Sequence, residues 1–236
     1  MALLLAAASL PASSLFALER IEVEGLERLS AQEVIAASGL APGARSIFLI
    51  NVREAATRLG AHPRIAAAEV RARAPHTIHI TVRERKAAAA APFARGYALV
   101  DAGGIVIEVQ TGRPALVLVS ERGGTVPWAT PGQRIDSVAV REGLALLPRL
   151  PAALRSEIVH LQISRDREVY LYLRDGLEVR AGPLRGAARR LEAAPEVLRR
   201  VRADGVPLEY VDFSLADQVV IKPRAQEEEM PAQRGN

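Results

Sequence analysis

The chain has no cysteine in its 236 residues, which excludes disulfides, thiolate metal sites and thiol nucleophiles. Histidine is nearly as scarce, with His62, His76, His79 and His160 the whole supply. His76 and His79 stand three apart in a strand-like run, so they point to opposite faces and cannot grip one ion together. Aromatic residues make up only 4%, too few for the stacking platforms of a single-strand binder, and the positive charge forms no dense cluster. Lysine occurs twice, at Lys86 and Lys222, so arginine carries nearly all the basic charge. Enrichment in Arg and Ala follows from base composition of the gene as readily as from function. No serine sits in a Gly-x-Ser-x-Gly elbow. The glycine-containing turns at 39–43 and 101–104 lack the strand-to-helix setting of a phosphate loop. Nothing calls for a metal or a cofactor. The expectation is a binding protein, not an enzyme and not a nucleic-acid binder.

What is present suits a folded core. Hydrophobic residues are 49%, charged residues 25% and the net charge +4, enough for one large or two small domains. The most ordered stretch is Glu168 to Gly182. Arg174-Asp175-Gly176 is a three-residue hairpin loop with glycine at the left-handed position. That register sets Leu173 against Leu177, Leu171 against Val179 and Val169 against Ala181, with Tyr170, Tyr172, Glu178 and Arg180 on the other face. A two-residue loop would mix the two sets, so the three-residue register is predicted. Asp175 is then a loop former and not a catalytic acid.

Taken in order, Ala2 to Leu18 carries no charge. It is shorter than the ~20 apolar residues of a full span, and it lacks the basic start of a signal peptide. The outer part of a membrane anchor that begins upstream is the favoured reading, and a disordered or core-packing N-terminus is the other. Ile21 and Val23 alternate with Glu22 and Glu24 in a strand ended by Gly25. Ser30 with Glu33 makes a capping box, with Leu29 and Val34 placed to staple across it, and Gly39 stops the helix. Asn51 with Glu54 repeats the arrangement for a second helix ending near Gly60. Ala68–Arg73 and the run through Ile78, Ile80 and Val82 are two further strands. Strand, helix, helix, strand, strand can bury one sheet face under two helices.

Lys86 to Ala94 is a plausible joint. Beyond it, a hairpin is predicted through Asp101 to Gly104, a strand at Ala115–Val119, a loop at 121–132 and a helix at Ser137–Leu147. Strands follow at Ile158–Ile163, in the central hairpin, at Leu208–Phe213 and at Gln218–Lys222, the last pair turning around Ala216-Asp217. Leu184, Leu191 and Leu198, with Ala187, Ala194 and Val201, form one apolar stripe, which predicts a single helix bent at Pro195. Arg185, Arg189, Arg199 and Arg200 lie on its far side. That side is a solvated helix face or, functionally, a surface for an acidic protein segment. Arg224 to Asn236, with Glu227–Glu229, is predicted to be disordered.

The residues IEVEG and RARAPHTIHITVRER give the first unit a resemblance to a POTRA domain. YALVDAGG, LYLRDG, LEVRAG and EYVDFSLADQVVIKP make the second resemble the β domain of the FtsQ/DivIB cell-division family. The likeness runs from about Phe16 to Pro223 and rests on the order and spacing of short motifs. It implies an α+β fold, with a POTRA domain (β-α-α-β-β) at 17–86 and a mixed β-sheet domain with flanking helices at 87–223. Residues 1–16 would be the anchor remnant and 224–236 the tail.

The resemblance also implies a non-enzymatic scaffold in the inner membrane. It would be single-pass, with its bulk outside the cytoplasm at the division septum. The implied partners are FtsB- and FtsL-like proteins and other components of the division machinery, FtsB adding a strand to the edge near the C-terminus. The sequence departs from the family where an Asp-Leu-Arg-Tyr-like run is usual: here it is Asp212-Phe213-Ser214-Leu215. A Pro-aromatic-Val run is here Pro63-Arg64-Ile65. The alternative is a POTRA-containing module of a secretion or outer-membrane assembly system. Such a module normally shows repeated POTRA units or a long barrel sequence.

Gln218 to Lys222 comes last among the strands, so one of its sides is expected to be an open edge, and an open apolar edge invites a partner strand. The predicted partner-binding residues are Leu215, Gln218, Val219, Val220, Ile221 and Lys222, with Arg189 nearby. A proline at Val220 is expected to abolish binding.

Overall fold

The computed structural model describes residues 16–43, 46–215 and 218–224. The first half holds β1 (Arg20–Glu24), α1 (Ala31–Ser38), α2 (Val52–Gly60), β2 (Ile65–Arg73), β3 (Thr77–Glu84), β4 (Ala89–Phe93), β5 (Gly96–Val100) and β6 (Val106–Gln110). The second holds β7 (Leu118–Glu121), α3 (Val138–Leu146), α4 (Ala152–Glu157), β8 (Ile158–Ile163), β9 (Glu168–Leu173), β10 (Glu178–Pro183), α5 (Ala187–Arg190), α6 (Ala194–Ala203), β11 (Leu208–Asp212) and β12 (Val220–Pro223). The fold is α+β, a β-α-α-β-β unit followed by a mixed β-sheet with helices, as the sequence predicts. The described residues gather into two compact units. One comprises residues up to 87 with 98–111 and 129–135, the other 88–97, 112–128 and 136 onward.

In the first unit β3 lies between β1, to which it is parallel, and β2, to which it is antiparallel. Its alternation decides which side is core: Ile78, Ile80 and Val82 are buried beneath the helices with Val34, Ala55 and Leu59. The capping box at Ser30 forms in full. Its Oγ accepts the Glu33 N–H at 3.2 Å, and the Glu33 carboxylate accepts the Ser30 N–H at 2.8 Å. At α2 only half of that arrangement forms. Asn51 Oδ1 accepts the Glu54 N–H at 3.2 Å, while the Glu54 carboxylate turns down the helix to Arg58 at 2.6 Å.

A deeper carboxylate holds the chain between β1 and α1. Glu84 Oε1 accepts N–H groups from Glu27, Arg28 and Leu29 at 2.7, 2.9 and 2.9 Å. The β5–β6 hairpin belongs to this compact unit. Asp101 Oδ1 accepts the Gly103 and Ile105 N–H groups inside the turn. Its Oδ2 pairs with Arg85 at 2.6 Å, and Glu108 pairs with Arg64.

In the second unit the strand order is β12-β11-β10-β9-β8-β7-β4. The β8–β9 and β9–β10 pairs are antiparallel, whereas β4–β7, β7–β8 and β10–β11 are parallel. Parallel neighbours need crossovers, and helices supply two of these three: α3 and α4 between β7 and β8, α5 and α6 between β10 and β11. The central hairpin takes the three-residue register. Leu173 N–H donates to Leu177 O at 2.9 Å, and Leu171 pairs with Val179. Gly176 supplies the left-handed residue at φ 85°. One detail differs. A bulge between Arg180 and Gly182 sets Val169 opposite Gly182 instead of Ala181. Val169, Leu171, Leu173, Val179 and Val211 are buried on one face, while Tyr170, Tyr172, Glu178 and Arg180 are half-buried on the other.

Three predicted elements are corrected. The stretch Lys86 to Ala94 is not simply a joint, because Ala89–Phe93 is strand β4, with Ala89, Ala90 and Ala91 fully buried. An alanine run shows neither alternation nor β-branched residues, so its strand character is invisible in the pattern. The single bent helix is two helices, α5 and α6, with Ala187, Leu191, Ala194 and Leu198 all buried as the stripe requires. A continuous helix would need an N–H at Pro195 for the Leu191 carbonyl. Restarting the helix places Pro195 in a first turn, where no N–H is needed. The strand predicted at Ala115–Val119 lies later, at Leu118–Glu121, and α4 follows α3 where no element was predicted. Residues 1–15, the turn Ala216-Asp217 and the tail from 225 lie outside the described residues.

Candidate partner-binding edge

β11 follows α6 and pairs in parallel with β10, matching Val179 to Val211 and Arg180 to Asp212. Gly182 allows this end of the sheet to close up. At φ 69° it tolerates the bulge, and a Cβ there would lie 2.8 Å from Ser214 Cα. β12 returns antiparallel to β11, with Tyr210 opposite Lys222, Val211 opposite Ile221 and Asp212 opposite Val220. It is the last strand in the sheet order.

The direction of the backbone groups along β12 follows from three observations. Phe213 N–H donates to Arg180 O on β10 at 2.7 Å, so the neighbouring Asp212 faces β12 and its partner Val220. Arg224 N–H donates to Pro207 O at 2.8 Å, which turns residues 224, 222 and 220 inward. Pro223, with no N–H to give, falls in the alternate, outward series with Ile221 and Val219. The free edge therefore offers the N–H and C=O groups of Val219 and Ile221. Val219, Val220 and Ile221 are 40%, 42% and 41% exposed, and Leu215 stands exposed at the entry to the turn.

Side chains beside the edge form a charged and aromatic band of which the sequence predicts only Lys222 as part of the site. Arg180 lies over the Tyr210 ring, 3.6 Å from its centroid, and Lys222 Nζ is 5.6 Å from the same ring. Two strands in from Tyr210, Arg122 lies 3.5 Å from the Tyr170 centroid. Glu178 is the hub of this band, pairing with Arg180 at 2.7 Å and Arg122 at 3.7 Å. Burial lowers the Arg180 pKa, but the Glu178 contact outweighs it and the net direction is upward. Burial and the hydrogen bond to Glu178 raise the Tyr172 hydroxyl. Lys222 pairs with Glu209 at 2.9 Å, which raises its pKa. The alternation of Glu209, Tyr210, Val211 and Asp212 sets Tyr210 with Asp212 on one face, and the β10–β11 register then places Tyr210 opposite Glu178 and beside Arg180.

Of the predicted residues, the structure brings Val219, Val220, Ile221 and Lys222 together on the edge, with Gln218 exposed just before it. Arg189 sits elsewhere. It is exposed on α5, at the rim of a cavity of about 170 Å³ shared with Glu142, Leu146 and Arg149. The histidines serve separate local contacts. His76 is 3.7 Å from Glu19, His79 is 3.1 Å from Glu24, and His160 Nε2 is 2.9 Å from Ser120 Oγ.

A β-α-α-β-β unit joined to a mixed sheet that ends in an exposed apolar strand defines a two-unit extended-edge protein. Residues 16–85 match the model of the POTRA domain, FtsQ-type, and residues 90–214 that of the cell division protein FtsQ/DivIB, C-terminal. The second match stops short of β12. A cell division protein FtsQ of Geobacter sp. (strain M21) is 27% identical over 89% of this chain and 77% of its own length. One from Chloroflexus aurantiacus is 30% identical over 85% and 72%. A cell division protein DivIB of Geobacillus kaustophilus is 31% identical over 72% and 62%. The chain belongs to the FtsQ/DivIB family of cell-division proteins.

Proposed function

We propose that the chain is a non-enzymatic scaffold of the division septum that recruits small FtsB- and FtsL-type proteins by strand addition on β12. The observation that carries this reading is the edge itself. Among the described residues no strand pairs with the outer side of β12, where Ile221 and the preceding Val219 turn their backbone groups outward beside three exposed apolar side chains, and such an edge is an aggregation hazard unless a partner strand covers it. A partner strand would satisfy those groups, while Lys222 with Tyr210 and Arg180 on one face, and Val219 with Ile221 on the other, would read its side chains. The uncharged N-terminal run supports anchoring in the inner membrane, with both units outside the cytoplasm. Among the described residues no helix is long and apolar enough to cross a membrane.

The geometry changes which substitution tests the edge. Val220 turns its N–H to β11, so a proline there breaks the β11–β12 pair itself. Ile221→Pro removes an outward donor and leaves that pair in place, as proline on an edge strand does. Calorimetry with a soluble FtsB-type segment should show Ile221→Pro weakening binding by about tenfold, while Val219→Ala costs less. Unchanged affinity for the proline variant, with its fold verified by NMR, would place the partner elsewhere. For the membrane, a C-terminal reporter active only in the cytoplasm would refute the topology.

A further inference from the structure

The other exposed apolar feature lies in the first unit. Phe48 and Leu49 are consecutive, 54% and 58% exposed, and sit in a single 3₁₀ turn, Ile47–Leu49, between α1 and α2. Isolated exposed apolar residues need no account, but these two are held at a particular place. Phe16 packs edge-on against Phe48, with ring centroids 5.1 Å apart. Ala17 bridges Ser46, and Gly43 N–H donates to Leu18 O at 2.6 Å. The turn is thus tied to the residues at which the uncharged run 2–18 enters the domain. Leu40, Leu49 and Ile50 line a shallow hollow of about 340 Å³ beside it, and exposed Arg53 follows one turn on.

We propose that Phe48 and Leu49 seat this end of the POTRA unit in the lipid surface, in the headgroup and upper acyl region. The inference rests on the reading of residues 2–18 as membrane-anchoring. If that run leaves the bilayer at Phe16, Phe48 is one ring away from the point of exit. Burying two apolar side chains in the interface is favourable, and an arginine beside them can reach anionic headgroups. The contact would fix the tilt of the unit over the membrane where a bare linker would leave it free. The opposite end of the unit stays dry of lipid. β1 runs away from Phe16 for about 16 Å before Glu27 is reached.

The test uses the full chain, with Trp128→Phe removing its single tryptophan and a probe placed by Phe48→Trp or, as a control, Glu27→Trp. Each is reconstituted in vesicles of phosphatidylethanolamine and phosphatidylglycerol containing a nitroxide lipid labelled high on the acyl chain. The expected result is blue-shifted, quenched emission at position 48 and neither effect at position 27. Adding Leu49→Asp to the position 48 probe should lose the shift while circular dichroism stays unchanged. Protein that floats with the vesicles but emits alike from both positions would overturn the proposal and leave the anchor standing. Protein that does not float would overturn both, and flotation alone identifies the anchor as the fault. A shift at position 48 that needs added membrane protein, and not lipid, would assign the patch to a protein partner and refute the lipid contact.

Discussion

The Arg180 guanidinium lies over the Tyr210 ring, 3.6 Å from its centroid, and so ties β10 to β11, the neighbour of the edge strand. Cation–π contacts at half-exposed sites are worth about 0.5–1 kcal/mol. Tyr210→Leu should therefore lower the hydrogen-exchange protection of β11 and β12 by a few-fold and leave β8 and β9 unchanged. It should also weaken a partner strand that reads the Lys222 face. Uniform loss of protection across the sheet would show that Tyr210 acts as a core residue instead.

Glu84 is 7% exposed and accepts three backbone N–H groups. Burial pushes its carboxyl up, but the bonds from Leu29, Glu27 and Arg28 outweigh that and hold it below its ordinary 4.5. A depressed carboxylate adds stability that is present above the unfolded value and lost as pH falls through the folded one. Glu84→Gln should cost about 1–3 kcal/mol near neutrality, since one carboxylate serves three donors. It should also flatten the acid limb of the stability profile of the first unit below pH 4.5, followed by thermal melts across pH.

His160 behaves with the opposite charge and the same sign. Burial, and then the nearby Arg113, lower its pKa to about 4 from 6.5. The unfolded chain then binds the extra proton first, so stability falls as pH drops from 6.5 toward 4 and is unaffected above. The loss at pH 5 is up to about 2 kcal/mol. His160→Gln should remove that dependence from the second unit. A profile identical to wild type between pH 4 and 7 would mean the imidazole is solvated.

We propose the sequence boundary at residues 86 and 87 as the limit of separately foldable pieces, although the β5–β6 hairpin takes its ion pairs from Arg64 and Arg85. A fragment starting near residue 88 should retain the β7–β12 core by circular dichroism. It should lose exchange protection within 98–111, where Glu108 and Asp101 have lost their cations. A fragment unfolded throughout would move the boundary.

Local features were legible wherever a short-range rule applied. The capping box at Ser30, the three-residue loop ending at Gly176 and the inner face of Ile78, Ile80 and Val82 are each decided within a few residues. β4 escaped because burial on both faces needs only small apolar side chains, which alanine supplies without periodicity. The break between α5 and α6 escaped because an apolar stripe specifies which side chains are buried, not whether the backbone between them is continuous.

The edge shows where the sequence stops and the tertiary structure begins. The sequence alone determined that the strand at Val220–Pro223 would be apolar, through the run Val219-Val220-Ile221, and the sheet order of the described residues put it at the end. Which of its N–H groups face out was set by the parity of the β10–β11–β12 pairing, and that depends on hydrogen bonds from Phe213 and Arg224 to residues far off in the chain. The same pairing gathered Arg180, Tyr210 and Lys222, from three strands, into one row. Their charges and rings are written in the sequence, but their adjacency exists only once the register is chosen, because a one-residue slip would send every side chain to the other face.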